Sequence, residues 1–365
     1  MRATRELWMR GVDMTRDVLE GIDEQAEVLR ALGPVNEALG RLDDRCADAL
    51  RRCGVMHLLQ PEEFGGVETH PADFADAVYE IARLDGSAGW VAGSVGVPPW
   101  IVATAARRPR DEVWEADPGS WIASAYSAAG LLLPVAAGYR LSGEWQFVAG
   151  VDHCDWVILG ARVVDTADAS GDTYVLAPTA DLLIVEDSWN GVGLAGAGSK
   201  TIAADDIFVP AYRVHRGVAD GTAAAQAGLR NPIYHLPFGM VVPLGITAAV
   251  IGMADGALAH HGAAGGSDDA VVEQAAAEIR ASRLALLDTV SASFHLVLDG
   301  PIDAGVRERA RRDQVASARR AVRAVDDIVS RSSIDALRRD HPLQRFWRDA
   351  HVGLAGVVAA SGLMG

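Results

Sequence analysis

The run Tyr139-Arg140-Leu141-Ser142-Gly143-Glu144-Trp145-Gln146-Phe147-Val148-Ala149-Gly150-Val151-Asp152-His153-Cys154-Asp155-Trp156 decides how the 365-residue chain is divided. Aromatic and β-branched residues dominate it, with Gly143 and Gly150 as punctuation, which is the pattern of strands and tight connections. Trp145 and Phe147 flank Gln146, so on a regular strand they share one face. That face is either ordinary core or a platform for a planar ligand. Three further runs read the same way: Trp156–Val164, Thr173–Ala177 and Lys200–Val209. The middle of the chain, residues 119–213, is therefore a β region.

On both sides the period changes. Leu39, Leu42, Cys46, Leu50 and Cys53 recur at helical spacing, and Phe74, Val78, Ile81 and Ala82 resume it after the loop Gln60–Gly66. Asp85-Gly86-Ser87 pauses the pattern, with Ser87 placed to cap the next helix. Ala/Arg/Leu-rich stretches follow the β region at Val241–His260, Ala270–Leu298 and Arg307–Arg338, each long enough for one side of a bundle. The expected domains are 1–118 helical, 119–213 β and 214–365 a helical bundle, an α+β fold that is mainly α. The formal net charge of -16 argues against nucleic acid and anionic membrane as partners. No apolar run is read as membrane-spanning, and the first residues, MRATRELWMR, lack a secretory apolar core. Cys46, Cys53 and Cys154 give no disulfide framework and no zinc spacing, which points to a reducing cytoplasm and no metal.

Several motifs are formal matches only. Gly191-Val192-Gly193-Leu194-Ala195-Gly196 fits the dinucleotide fingerprint by letter, but a strand-like run follows where a helix must open. Ser199 stands where a phosphate-binding loop needs lysine. His260-His261 reads as solvated surface, and Asp205-Asp206 and Asp326-Asp327 as turn or charged contexts. No nucleophile elbow is present.

Four segments, in order, together resemble the two-component flavin-dependent monooxygenases (the aromatic hydroxylase type) built on the acyl-CoA dehydrogenase fold. They are Pro61–Gly66 with Arg83–Val91; Tyr139–Trp156; Gly193–Thr201 with Asp205–Pro210; and Pro342–Asp349. The resemblance implies an N-terminal α domain, a middle β-barrel domain and a C-terminal four-helix bundle, assembled as a homotetramer. It implies reduced FMN or FAD bound between the β domain and bundle helices of two chains, supplied by a separate flavin reductase, and a small or polycyclic aromatic or amine-bearing substrate. Trp90, Ser124 and Ser199 would line the flavin or substrate side, with Phe147 beside them. The Val148-Ala149-Gly150 main chain would donate N–H groups to the ring. Arg283 would reach a flavin phosphate of a neighbouring chain, or form an ion pair; Gln344, Arg345 and Arg348 follow the same logic. Pro98, Trp100, Tyr234, His235 and Phe238 would border the substrate, although for His235 an exposed loop histidine is the favoured reading.

Three positions depart from the family pattern. Pro98 stands where the family often has His before an aromatic residue, Ala149 where it often has Ser, and Gly356 where it often has a His facing the flavin. None of the three can hold or move a proton through a side chain, help worth roughly 10²–10⁴-fold in rate. His351 lies five residues from Gly356 and is turned off its face on a helix; His153 reads as structural. Three functions stay open: a flavin monooxygenase with altered pocket chemistry, which is placed first, a repurposed relative (cyclase, dehydratase or isomerase, flavin-free), or a non-catalytic paralogue. An acyl-CoA dehydrogenase proper needs a glutamate base, and the candidates in the bundle are Glu273 and Glu278, both read as solvated.

Overall fold

Short polar side chains set where the helices begin. Asp43, His70, Asp269 and Asp303 each accept a hydrogen bond from a backbone N–H in the first helical turn, satisfying donors that have no partner within the helix. Asp85, not Ser87, caps the helix after the Leu84 break, accepting from Ala88 N at 2.8 Å. The computed structural model describes residues 2–164, 173–216, 224, 227–263 and 269–362.

Six helices precede the sheet: α1 (Arg2–Leu39), α2 (Asp44–Cys53), α3 (Pro71–Ala82), α4 (Gly86–Val95), α5 (Pro98–Ala103) and α6 (Arg107–Trp114). The strands are β1 (Ile122–Val135), β2 (Gly138–Val148), β3 (Trp156–Val163), β4 (Thr173–Pro178), β5 (Leu183–Val185), β6 (Lys200–Pro210) and β7 (Val214–Arg216). They form one seven-stranded sheet in the order β5-β6-β2-β1-β3-β4-β7. The ends of that order do not pair with each other among the described residues, so the expected barrel is an open sheet. Among the described residues, the long helices that follow are α7 (Phe238–Ala263), α8 (Ala270–Asp299), α9 (Ala304–Ser330) and α10 (Pro342–Gly362). The expected Arg307–Arg338 run stops at Ser330, and a short 3-10 turn, Ile334–Leu337, leads into α10.

Helix α7 corrects one expectation. Its segment Phe238–His261 is long and apolar enough to cross a membrane by length and composition, with mean hydropathy 1.7, yet 89% of its most apolar 18-residue stretch is buried within the protein. It is the central helix, against which α3, α4, α9 and α10 pack. Its contact with α4 is close: a Cβ on Gly93 would lie 2.6 Å from the carbonyl carbon of Gly245. The three cysteines are free and buried, and burial pushes the Cys46 thiol up to about 12, so they behave as small core residues.

Candidate functional site

Helix α4 is where the site is assembled. Trp90, Val91 and Gly93 lie within one turn of it, and each meets a different element. Val91 and Val95 pack on Gly150 after β2, Gly93 on α7, and Trp90 on α10. The indole of Trp90 lies over Gly353 and Gly356, where added Cβ atoms would stand 3.3 Å from Cζ3 and 2.6 Å from Cη2 respectively. Asp349, Gly353 and Gly356 are spaced by four and three residues, hence on one face of α10. The missing side chain at Gly356 is thus the space occupied by an indole. His351 is directed elsewhere, its Nδ1 2.8 Å from the Trp347 carbonyl and its Nε2 3.3 Å from Asp326.

The end of β2 is irregular. Trp145 pairs with Ile202 but Val148 with Lys200, so three steps on β2 oppose two on β6, a bulge. Alternation fails there. Trp145 is fully buried and donates its indole N–H to the Gly160 carbonyl at 2.9 Å. Phe147 does not share its face: it adopts φ +64° and is 69% exposed, its ring set edge-on to Trp189 at 6.2 Å between centroids. A bulky residue in the left-handed region is strained, and here the strain turns an aromatic ring outward. In the adjoining main chain, the Gly150 N–H is already donated to Ala197 O at 2.9 Å, so it is not available to a ligand. Ala149, Val148 and Ser199 are buried beside it. The Gly-rich loop before β6 leads into a strand and not a helix, as its context in the sequence requires.

Loop 191–198 is clamped to α10. Asp349 accepts from Leu194 N at 2.6 Å, holding Leu194 at φ +53°. Burial raises the Asp349 carboxyl to about 7, with the Leu194 N–H acting the other way. Arg348 donates to the Val192 carbonyl and pairs with Glu37 at 2.6 Å, while its Nε donates to Gln344 Oε1. Gln344 in turn donates to the carbonyls of Arg339 and His341. Arg345 lies against buried Asp85, whose pKa it lowers against a larger upward push from burial. Arg283 pairs with Asp76 at 2.9 Å and Glu80 at 3.3 Å, over the ring of Tyr79. These side chains are engaged within their own chain, so Arg283 takes the ion-pair alternative. Lys200, also buried, holds Asp152 and Glu186, each at 2.6 Å.

Of the expected substrate-side residues, Trp100 and Tyr234 are fully buried, with polar atoms spent on the carbonyls of Ile233 (2.7 Å) and Leu59 (3.3 Å). Pro98 is buried at the start of α5. His235 is half-buried and bonded to the Leu229 carbonyl at 3.1 Å. His153 holds the Leu42 carbonyl at 2.9 Å, a structural contact. His260 and His261 are not solvated surface: His261 is buried against Ser332, and His260 stacks on Phe346. Phe238, at the start of α7, packs on Tyr126 and Tyr174, with centroids at 5.3 and 5.4 Å. Tyr126 was not singled out by the sequence, because β1 is an Ala/Ser-rich run with weak strand propensity. A second feature also escaped it. Arg312, Arg319 and Arg323 on α9 line a groove with α8 and α10 and make no ion pair among the described residues. Their spacing of seven and four was the available signal.

Residues 269–357 match the family described as acyl-CoA dehydrogenase, C-terminal domain. Among curated relatives, a pigment production hydroxylase of Rhodococcus erythropolis is 41% identical over 93% of this chain and 92% of its own length. The oxygenase subunit HsaA of a flavin-dependent monooxygenase from Mycobacterium tuberculosis is 35% identical over 93% and 90%. The solved structure of XiaF from Streptomyces sp., in complex with FADH2 and glycerol, matches over 97% of this chain and 95% of its own, at 25% identity and a TM-score of 0.86. By these full-length matches the chain belongs to the family of flavin-dependent two-component monooxygenase oxygenase components that share the acyl-CoA dehydrogenase fold.

Proposed function

We propose that the chain is the oxygenase component of such a system, taking reduced FMN or FAD from a separate reductase and hydroxylating a small or polycyclic aromatic substrate. The observation that carries this reading is Phe147. An exposed aromatic ring is held in a strained conformation at the point where β2, α4 and the loop before β6 meet. Such strain persists only where surrounding structure enforces it, and it clusters at ligand sites.

The residues fit a planar cofactor. Phe147 offers a ring face, Trp90 an apolar wall, and Ser124 on β1 and Ser199 just before β6 offer hydroxyls. When bound, reduced flavin supplies the electrons that activate oxygen. The chain's own part is to exclude water with Trp90 and the buried Val91, Val95 and Ala149, and to orient the substrate against the ring. A flavin phosphate needs cationic donors. Arg283 and Arg348 are spent within the chain, so the Arg312–Arg319–Arg323 face supports this role in an assembly where a second copy brings its flavin to the groove.

The decisive experiment mixes the purified chain with reduced FMN or FAD without oxygen and follows binding by flavin fluorescence. Aromatic substrates and ¹⁸O₂ are then added. Saturable binding and transfer of one labelled oxygen atom into a product are expected. Absence of flavin binding overturns the proposal.

A further inference from the structure

The peptide of Leu194 is a junction. Its N–H donates to Asp349 Oδ1 at 2.6 Å. Its carbonyl accepts two bonds, from the Trp189 indole N–H at 2.8 Å and from Ala197 N at 3.0 Å. Each of these leads on to the end of β2. The Trp189 ring stands edge-on to Phe147, with 86° between the ring planes. The Ala197 carbonyl holds the Gly150 N–H at 2.9 Å. One carboxyl group on α10 is therefore joined, through a single peptide, to both ends of the 147–150 turn.

The junction is held against the preference of its own residue. Leu194 has φ +53° and ψ +29°, a left-handed conformation that a bulky side chain keeps only where its surroundings enforce it. The loop has no slack on either side. A Cβ on Gly193 would lie 2.3 Å from the Arg348 carbonyl oxygen, and one on Gly196 would lie 2.6 Å from Asn36 Cβ of α1. Asp349 is fixed as closely. It is buried, and its second oxygen faces the first turn of α4, where a Cβ on Gly86 would lie 2.7 Å from Oδ2. Shutting a carboxyl group away from water to meet one backbone N–H is unfavourable, and filling the core does not call for it. Imposing one conformation on Leu194 does.

We propose that Asp349 is a positioning residue for the flavin cradle, acting through the Leu194 peptide and Trp189 on Phe147. Its role is to aim Phe147, not to meet the flavin itself. With the Leu194 carbonyl fixed in direction, the Trp189 indole is tied to one place. Its ring then stops Phe147 on one edge, so that the exposed phenyl face is presented at a constant angle. The Ala197 branch holds the same turn at Gly150. The relay carries the placement of α10 to a ring at the end of β2. This inference rests on the reading of the chain as a flavin oxygenase with Phe147 in its cradle.

The test labels the full chain with 5-fluorotryptophan and records its ¹⁹F spectrum, the Trp189 line being assigned by Trp189→Phe. Dissociation constants for reduced FMN and FAD are measured anaerobically on the same samples. Asp349→Leu keeps the shape of the side chain and removes the acceptor, whereas Asp349→Asn keeps an acceptor. Asp349→Leu is expected to shift the Trp189 line and to weaken flavin binding about tenfold, the worth of roughly one buried hydrogen bond. The lines of Trp100 and Trp114, buried on α5 and α6, are expected to stay in place. Asp349→Asn is expected to return the Trp189 line to its wild-type position and the affinity to within about threefold. A Trp189 line or a flavin affinity that does not respond to Asp349→Leu overturns the inference. If Asp349→Leu also displaces the Trp100 and Trp114 lines, Trp189→Phe decides, because it leaves Asp349 in place and removes the indole N–H. A loss of about tenfold in flavin affinity there supports the relay, and an unchanged affinity overturns it. A wild type that binds neither flavin defeats the oxygenase reading, while a Trp189 line that still answers to Asp349→Leu leaves the relay standing.

Discussion

The contact between Trp90 and Gly356 can be tested by a change of sign. Gly356 lies inside α10, where replacing Gly with Ala gains about 1 kcal/mol of helix propensity when nothing else intervenes. Here something does. The new methyl carbon would stand 2.6 Å from Trp90 Cη2 and 2.9 Å from Cζ2, when ordinary carbon contacts are roughly 3.5–4 Å. The indole must retreat by close to 1 Å, yet it also lies over Gly353. Overpacking of this kind costs about 1–3 kcal/mol. Gly356→Ala is therefore expected to be neutral or destabilising by up to about 2 kcal/mol in the wild type. In a Trp90→Ala background the obstacle is gone, and the same substitution is expected to stabilise by about 1 kcal/mol. Urea unfolding of the four proteins closes the cycle, with an expected coupling of about 1–3 kcal/mol. The reasoning fails if Gly356→Ala stabilises both backgrounds equally. It also implies that Gly356→His cannot restore the family's usual side chain unless Trp90 is reduced at the same time.

Asp349→Asn tests the clamp on loop 191–198. The folded carboxyl is raised to about 7 from 3.8, chiefly by burial, so its contribution is full below pH 3.8 and is lost as pH rises through 7. Between pH 5 and pH 8 the wild type should lose on the order of 3 kcal/mol of unfolding free energy that the Asn variant retains; parallel urea curves at the two pH values that do not diverge would refute this. Phe147→Gly relieves a left-handed φ of 64° and removes a ring that is mostly exposed. It should unfold within about 1 kcal/mol of the wild type, whereas truncating a core Phe costs about 3–5 kcal/mol. Its affinity for reduced flavin should fall tenfold or more, read by fluorescence titration.

Helices and most strands were legible because their signals are local. Period 3.6 marked α2, α3 and the bundle, and β-branched or aromatic runs marked β2, β3, β4 and β6. What escaped was of two kinds. Strand β1 carries Ala and Ser where a strand signal needs bulk, and the alternation of Trp145 with Phe147 assumes a regular strand that the bulge interrupts. The other kind is long-range. Arg283 was visible as a cation, but its partners Asp76 and Glu80 come from α3, and Arg348 meets Glu37 from α1. No spacing rule reaches across such distances, so a buried ion pair and a phosphate ligand look identical in sequence.

The same limit governs the meaning of Pro98, Ala149 and Gly356. Read singly, each is a lost proton donor or acceptor. In the structure, Gly356 and the Ala149–Gly150 turn are both adjusted to α4: Trp90 fills the space above the first, and Val91 and Val95 pack against the second. Restoring a polar side chain at Gly356 alone would bury it against an indole without a partner, a cost of about 1–3 kcal/mol on top of the overlap. The wall is thus built as an apolar surface.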